Sequence, residues 1–202
     1  MIRVLLVHEA RLLRSALAER LAGEEDLEAH HACWRSAPGR ARALRPDVCV
    51  ADLDCSDSYG IAPLGELPYR FPDAGECRLL VIASASRPGL LRRAAEAHAL
   101  GYIDVDSSPE ELIHGIRTVA KGQAFIDESL GFGFLKAAKM PLTQRELSVL
   151  SLAAQGASVA EIAGSLHLSH GTVRNYMAAI TRKIGARNRV DAIRISQGEG
   201  WL

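Results

Sequence analysis

This 202-residue sequence lacks the features of a membrane or secreted protein. No apolar run approaches the ~18 residues that a membrane-spanning helix needs. Residues 1–7 contain one arginine and an apolar run of only four residues, which is too short for the core of a signal peptide. We therefore expect a cytoplasmic protein that makes no contact with membranes.

The four cysteines lack the spacing of a redox or zinc motif, because no two of them form a CxxC pair. They are Cys33, Cys49, Cys55 and Cys77. Disulfides are rare in reducing compartments, so scattered thiols favour free cysteines over disulfide bonds. A metal site that combines cysteines with His30 or His31 is the alternative that the residue types leave open.

Enzyme motifs and a net charge are also missing. There is no Walker loop, nucleophile elbow or metal-ligand cluster, so we expect no independent enzymatic activity. The formal net charge is zero, but residues 1–138 carry 16 basic and 20 acidic side chains, whereas residues 139–202 carry 8 and 4. An acidic part joined to a basic part is typical of a regulator attached to a DNA-binding domain.

Two short amphipathic helices are predicted within the basic part. Apolar residues at helical spacing place the first at about Val159–Leu166. His167 and Leu168 make a tight turn, and Ser169 stands at the N-cap of the second helix. Small residues in the first helix allow a close approach, as in a helix-turn-helix. Periodicity alone also allows an ordinary helical hairpin with a solvated, charged face.

The outer face of the second helix has side chains that suit duplex DNA. Arg174 can form a two-pronged contact with guanine, and Asn175 can pair with adenine. Arg182 and Lys183 suit phosphate groups, which fix register without reading sequence. Helices are also predicted before and after this pair, the first capped by Thr143 and Glu146 and the last beginning near Arg189. We therefore expect four helices in a small all-α domain.

The span LTQRELSVLSLAAQGASVAEIAGSLHLSHGTVRNYMAAITRKIGARNRVDAI resembles the LuxR-type DNA-binding domain of NarL/FixJ response regulators. The resemblance covers nearly the whole C-terminal third. It implies binding to double-stranded promoter or operator DNA as a homodimer on paired half-sites. It also implies that Arg174 and Asn175 contact bases, and that Thr172, Tyr176, Arg182 and Lys183 contact the DNA backbone or support the helix.

The N-terminal part alternates apolar strands with helices in five repeats. This pattern predicts a five-stranded, doubly wound parallel sheet in an α/β domain of flavodoxin-like type. The predicted strands are Ile2–Val7, Leu27–Ala32, Val48–Leu53, Leu79–Ile82 and Tyr102–Val105. The predicted helices are Arg11–Leu21, Ser36–Leu44, one near 60–68, Pro88–Leu100 and Pro109–Lys121. In such sheets the working crevice lies at the carboxyl ends of the strands.

Those strand ends, with RPDVCVADLD and CRLLVIASASRPGLLRRAAEAHALGYIDVDSSPEEL, resemble the receiver domain of response regulators of the DesR-like branch, over about residues 1–121. The resemblance implies an Asp that accepts a phosphoryl group beside Mg²⁺. Two acids after the first strand hold the ion, and a hydroxyl and a Lys after the fourth and fifth strands bind the phosphate. The cations neutralise the transferred group, and the hydroxyl reports its arrival.

This chain keeps only part of the acidic set. Asp52 matches the phosphoacceptor, and Glu9 matches one metal-binding acid, but His8 replaces the other. Mg²⁺ prefers oxygen ligands, so we predict no bound metal; any Mg²⁺ would depend on Glu9 and Asp52. With His8 protonated, we expect Asp52 to pair with it as a structural carboxylate.

The phosphate-binding positions are altered as well. Ala83 occupies the hydroxyl position, although Ser84 is adjacent, and Val105 occupies the lysine position. We therefore predict a degenerate receiver pocket around Asp52, lined by His8, Glu9, Asp54, Ala83, Ser84 and Val105.

A linker is predicted at residues 122–139, between a receiver-like domain at 1–121 and a DNA-binding domain at 140–202. The span 129–138 can form a short helix, although Gly131 and Gly133 each weaken it by about 1 kcal/mol.

Two accounts of the input remain open. In the first, the chain is an atypical response regulator that acts as a dimer without aspartyl phosphorylation, controlled by a small ligand or by constitutive dimerisation through its first and last receiver helices. In the second, it is a conventional two-component regulator, or a phosphotransfer component, that a cognate kinase phosphorylates on Asp52.

One mutational prediction follows from the base-contact assignment. Arg174→Ala should cost about 1–3 kcal/mol of DNA-binding free energy and relax base preference at one position. Lys183→Ala should instead weaken all sequences alike and flatten the salt dependence by about one unit. Binding to a panel of single-base operator variants at several salt concentrations measures both effects. An unchanged operator preference in Arg174→Ala would contradict the assignment.

Overall fold

Strands and helices alternate over residues 2–52 and 78–126, and helices alone follow from residue 131. The computed structural model describes residues 1–54, 64, 70–71 and 75–202. The strands are Ile2–Val7 (β1), Leu27–Ala32 (β2), Val48–Asp52 (β3), Arg70–Phe71 (β4), Gly75–Glu76 (β5), Arg78–Ala83 (β6), Gly101–Asp104 (β7) and Phe125–Ile126 (β8). The helices are Arg11–Ala22 (α1), Ala37–Leu44 (α2), Pro88–Glu96 (α3), Pro109–Ala120 (α4), Gly131–Ala137 (α5), Gln144–Ala154 (α6), Val159–Leu166 (α7), His170–Lys183 (α8) and Arg189–Gly198 (α9). Cys55 and the helix predicted near 60–68, apart from Leu64, lie outside the described residues.

The main sheet is parallel and has the strand order β2-β1-β3-β6-β7-β8, while β4 and β5 pair separately. Strands β1, β3 and β6 are almost wholly buried because helices cover both faces of the sheet. Alternate side chains point to opposite faces. Leu5 therefore packs with α2 and α3, whereas Leu6 packs with α1 and α4. The predicted doubly wound parallel sheet is confirmed, with six strands where five were expected.

The additional strand comes from the predicted linker, which folds onto the sheet. Strand β8 pairs with β7, and the side chain of Leu130 is fully buried in the core beside it. The expected short helix is present as α5. Its Gly133 approaches α3 so closely that a Cβ there would lie 2.7 Å from a side-chain methyl carbon of Leu91. The ring of Phe134 packs edge-on against that of Tyr102, with 5.0 Å between the ring centroids. Residues 125–137 are therefore part of the sheet-containing unit.

The predicted helix Pro88–Leu100 is wrong at its C-terminal end, because α3 ends at Glu96. His98 adopts a left-handed φ of 58°, which turns the chain out of the helix. The backbone N–H of Leu100 then donates to a carbonyl of β6. Gly101 consequently begins β7 and does not end the helix.

Helices α6 to α9 enclose a core of their own, which contains Val149, Ile162, Val173, Ile180 and Ala192. The predicted capping box of Thr143 and Glu146 is confirmed at the start of α6, and Ser158 begins α7 with a second one. The bounds predicted for the first helix of the pair match α7. In the described part of the chain, no helix is both long and apolar enough to cross a membrane.

The C-terminal end of the chain contacts the start of α3 in the sheet-containing unit. The backbone N–H of Gly89 donates to the carbonyl of Glu199 at 2.8 Å. A Cβ on Gly89 would lie 2.3 Å from the carbonyl oxygen of Gly200, which is itself buried and has a φ of +71°. Arg87 reaches the carbonyl of Gln197 at 3.5 Å. This contact depends on the absence of a side chain at two glycines.

We predict that Gly89→Ala separates the two units while both stay folded, because its Cβ collides with backbone. Small-angle scattering should show a larger radius of gyration, with an unchanged circular dichroism spectrum. Gly39→Ala in α2 is the matched control, since a Cβ there has nothing within 4 Å. The Gly39→Ala variant should have the radius of gyration of the wild type, and its free energy of unfolding should be higher by about 0.5–1 kcal/mol. An unchanged radius in Gly89→Ala would refute the predicted separation.

Candidate DNA-binding helix and receiver pocket

The turn between α7 and α8 places α8 as a separate, exposed helix. His167 has a left-handed φ of 54° and ends α7. Two residues later, the Ser169 hydroxyl accepts a hydrogen bond from the backbone N–H of Thr172 at 3.1 Å, as predicted for an N-cap. Val173 and Ile180 are fully buried and fix which face of α8 points inward. The remaining face is therefore presented outward by a helix that is held from behind.

The two predicted base readers lie on that outward face. Arg174 and Asn175 are exposed, and neither makes a side-chain hydrogen bond or an ion pair within the described part of the chain. Arg182, about two helical turns beyond Arg174, is exposed in the same way. The donors of these three side chains are consequently available to a ligand.

Two other predicted residues serve the helix itself. Tyr176 is half-buried against the helical core. Thr172 is half-buried as well, and its hydroxyl lies 2.8 Å from that of Ser169. Both side chains therefore contact the helical unit itself.

Lys183 at the end of α8 is bound to a buried carboxylate. Its Nζ lies 2.8 Å from Oε2 of Glu146, and the same oxygen accepts from the backbone N–H and the hydroxyl of Thr143 at 2.7 and 2.9 Å. Burial acts to raise the pKa of Glu146, but the bonds from Lys183 and Thr143 outweigh it and hold that pKa below its ordinary value. Lys183 thus anchors α8 to α6, a role that sequence spacing did not reveal.

A second buried carboxylate, also missed from sequence, organises the start of α9. Asp191 accepts from the backbone N–H of Arg187 at 3.0 Å and from Nη2 of Arg194 at 3.0 Å. These bonds, led by the Arg187 backbone N–H, lower the pKa of Asp191 to about 2. Arg189 donates to the carbonyls of Ala153, in the last turn of α6, and of Ala157, just beyond that helix. It thereby supplies hydrogen bonds to carbonyl groups that the end of a helix leaves unpaired.

The receiver pocket lies at the carboxyl ends of the strands, as predicted, and its centre is a contact between two buried side chains. Nε2 of His8 lies 3.0 Å from Oδ2 of Asp52. Nδ1 of His8 accepts from the backbone N–H of Ala10 at 3.0 Å. A ring nitrogen that accepts carries no proton, so His8 is the neutral tautomer that donates from Nε2. The expected pairing is present, but it does not need the protonated imidazole that we assumed.

The other two acids of the pocket each have a partner besides Asp52. Glu9 Oε2 accepts from the backbone N–H of Trp34 at 3.3 Å. Asp54 lies 3.3 Å from Arg87, and its backbone N–H donates to Oδ1 of Asp52 at 2.9 Å. Burial raises the pKa of Asp54, against the opposing effect of Arg87. This arrangement does not fit a Mg²⁺ site, because an imidazole faces one oxygen of Asp52 and Oε2 of Glu9 accepts from the backbone N–H of Trp34 in the turn after β2.

The phosphate-binding positions offer little to an anion. Ala83 is fully buried and has no hydroxyl. Ser84 is half-buried, and its hydroxyl lies 2.8 Å from that of Ser86. Val105 is 47% exposed and carries no charge. Within the described residues, no group of three or more histidine, cysteine or acidic side chains is arranged to hold a metal, and Cys33, Cys49 and Cys77 are free thiols.

Known bacterial regulators resemble the C-terminal part of the chain and the chain as a whole. Residues 140–196 match the family model described as bacterial regulatory proteins, luxR family. The response regulator RamR of Streptomyces coelicolor is 50% identical over 202 residues, which cover 100% of this chain and 98% of RamR. The transcriptional regulatory protein DesR of Bacillus subtilis is 34% identical and is covered completely, as is this chain.

Solved structures of lower identity share the fold. RcsB from Salmonella enterica serovar Typhimurium, bound to the promoter P1flhDC in the presence of the phosphomimetic BeF3-, has a TM-score of 0.64 at 18% identity, with 98% of each chain covered. A structure of two RcsB dimers bound to two parallel DNAs has a TM-score of 0.62 at 21% identity, again over 98% of each chain.

Lys183→Ala should lower the free energy of unfolding by about 1 kcal/mol at pH 7, because it leaves the buried Glu146 without its cation. The pKa of Glu146 is depressed in the folded protein. Its contribution is therefore present above the ordinary value of 4.5 and is lost as the pH falls below it. The difference between wild type and variant should shrink over that range in denaturant titrations.

Arg182→Ala is the matched control for this substitution. The Arg182 side chain is exposed and has no partner in the described residues, so its removal should leave stability within about 0.5 kcal/mol at every pH. Equal stability losses in the two variants would show that the Lys183–Glu146 ion pair contributes nothing measurable.

Proposed function

This chain belongs to the NarL/FixJ family of response regulators, in its DesR-like branch, and from that premise we propose that it is a sequence-specific transcriptional regulator that binds operator DNA as a dimer and works without aspartyl phosphorylation. We propose as its units a receiver-like domain at 1–121, a linker at 122–139 whose residues 125–137 pack onto the sheet of that domain, and a DNA-binding domain at 140–202. The relatives named above are regulators, so no catalytic activity is assigned to this chain.

The observation that carries the DNA-binding proposal is the outward face of α8. Arg174 and Asn175 stand on a helix whose start is capped by Ser169 and whose end is tied to Glu146. A helix held at both ends presents base readers at a low entropic cost. Arg174 and Asn175 would read bases in the major groove, and Arg182 would contact phosphate, with Thr172, Tyr176 and Lys183 as contacts or supports.

Dimerisation is proposed through the outer surface of α1 and α4. Leu12 and Leu13 on α1 are 80% and 53% exposed, which is costly for two adjacent leucines unless a partner covers them. Arg20 joins α1 to Glu110 of α4 at 3.2 Å, so the two helices form one continuous surface. The face of the sheet beside α3 is occupied by α5 and is not available. RcsB provides the precedent of a dimer on DNA.

Independence from phosphorylation is supported by the receiver pocket. His8 donates to one carboxylate oxygen of Asp52 and the backbone N–H of Asp54 donates to the other, while Val105 offers no cation to a phosphorylated product. The input would then be a small-molecule effector or constitutive dimerisation, without a cognate kinase. The alternative is a conventional response regulator phosphorylated on Asp52, which the retained Asp52 and the neighbouring Ser84 favour.

Phosphodonor labelling separates these two functions. We expect that acetyl phosphate with Mg²⁺ adds no phosphoryl mass to the wild-type chain. The triple substitution His8→Asp, Ala83→Thr and Val105→Lys should gain it, because it restores the oxygen ligand, the hydroxyl and the cation. Intact-protein mass spectrometry measures both. A phosphoryl adduct on the wild type that disappears in Asp52→Asn would establish the conventional function instead.

Selection of binding sites from a random duplex library tests the DNA-binding proposal separately. The full chain should enrich paired half-sites in the order of ten base pairs apart, centre to centre. Enrichment of no sequence would remove the proposal of sequence-specific regulation, whatever the labelling result.

A further inference from the structure

A crevice separates α3 of the sheet-containing unit from α6 of the helical unit. Its cavity volume is about 260 Å³, slightly below the range of sites for drug-sized ligands. Boundaries between folded units are common places for such sites. The crevice is lined by Gly89, Arg92, Arg93 and Glu96 on one side, by Gln144, Leu147, Ser148 and Ser151 on the other, and by Met140, Trp201 and Leu202 at its ends.

The α3 wall of the crevice is cationic. Nε of Arg92 pairs with Glu96 at 2.9 Å, while its Nη1 faces the thioether of Met140, a weak acceptor. Arg93 is largely removed from solvent, and this burial lowers its pKa to about 10. Two guanidinium groups and one carboxylate line this wall of the crevice. A guanidinium has five N–H donors, so each arginine can add a charge-assisted hydrogen bond to a bound anion beside its existing contacts.

The opposite wall offers apolar surface and hydroxyl groups. Leu147 and Trp201 are partly buried and provide an aliphatic and an aromatic surface. The hydroxyl of Ser151 makes no hydrogen bond to the described part of the chain, whereas that of Ser148 donates to the carbonyl of Gln144 at 3.0 Å. An apolar body with a polar group at one end complements this arrangement.

We propose that this crevice binds a small organic acid, with its carboxylate against Arg92 and Arg93 and its apolar body against Leu147 and Trp201. This inference rests on the proposed function, since it supplies the effector site of a regulator that does not use phosphorylation. The bound acid contacts α3 and α6 together. Helix α6 is tied to α8 by Glu146 and Lys183, so the acid stabilises one placement of the DNA-binding helix relative to the sheet.

The test uses 1-naphthoate as the probe, with the full chain and ligand-observed saturation-transfer NMR. The matched probe is 1-naphthalenemethanol, which has the same rings and no charge. Two variants accompany the wild type: Ser151→Trp fills the crevice from α6, and Arg93→Gln removes one cation while keeping hydrogen-bond donors. Circular dichroism and binding to the selected duplex verify that each variant is folded.

We expect 1-naphthoate to bind the wild type at least tenfold more tightly than the alcohol, and to lose at least tenfold in affinity in each variant. Absence of 1-naphthoate binding at millimolar concentration would overturn the inference, as would equal binding by the alcohol or undiminished binding to folded Ser151→Trp. Each of these results leaves sequence-specific DNA binding intact. Failure to enrich any duplex would instead remove the proposed function while naphthoate binding is still measurable.

Discussion

The buried carboxylate of Glu146 joins the start of α6 to the end of α8 in the helical unit on which DNA binding depends. One of its oxygens accepts three bonds, two from Thr143 at the start of α6 and one from Lys183 at the end of α8. A buried carboxylate is costly unless it is paired and hydrogen-bonded, so these partners stabilise the folded unit. The orientation of the outward face of α8 follows from that requirement, and so does the position of the α6 wall of the crevice.

Asp52 in the receiver pocket is also a buried carboxylate, and different groups compensate its charge. Asp52 is buried at the end of a central strand, where a divalent ion would ordinarily compensate its charge. Here the N–H of a neutral imidazole and the backbone N–H of Asp54 serve its two oxygens. Hydrogen bonds to a charged acceptor are among the stronger ones, so the carboxylate can persist without a metal. The charge of Asp52 is thus met by hydrogen bonds from the protein itself.

Sequence reasoning was accurate where the cause of a structure is local. The caps at Thr143 and Ser169 and the bounds of α7 depend on neighbouring residues, and they were predicted correctly. The docking of α5, the early end of α3 and the Lys183–Glu146 ion pair depend on residues far apart in the chain. Periodicity cannot report those contacts. The tautomer of His8 likewise depends on a backbone N–H that only the folded loop brings to Nδ1.

The docking of α5 onto the sheet also limits how far each DNA-binding unit can travel. Only residues 138–143 lie between the end of α5 and the start of α6. Fully extended, these six residues span about 20 Å, which is less than one helical repeat of duplex DNA. In the proposed dimer, each DNA-binding unit therefore stays close to its own sheet-containing unit, and the distance between the two sheet-containing units determines which operator geometries the pair can reach.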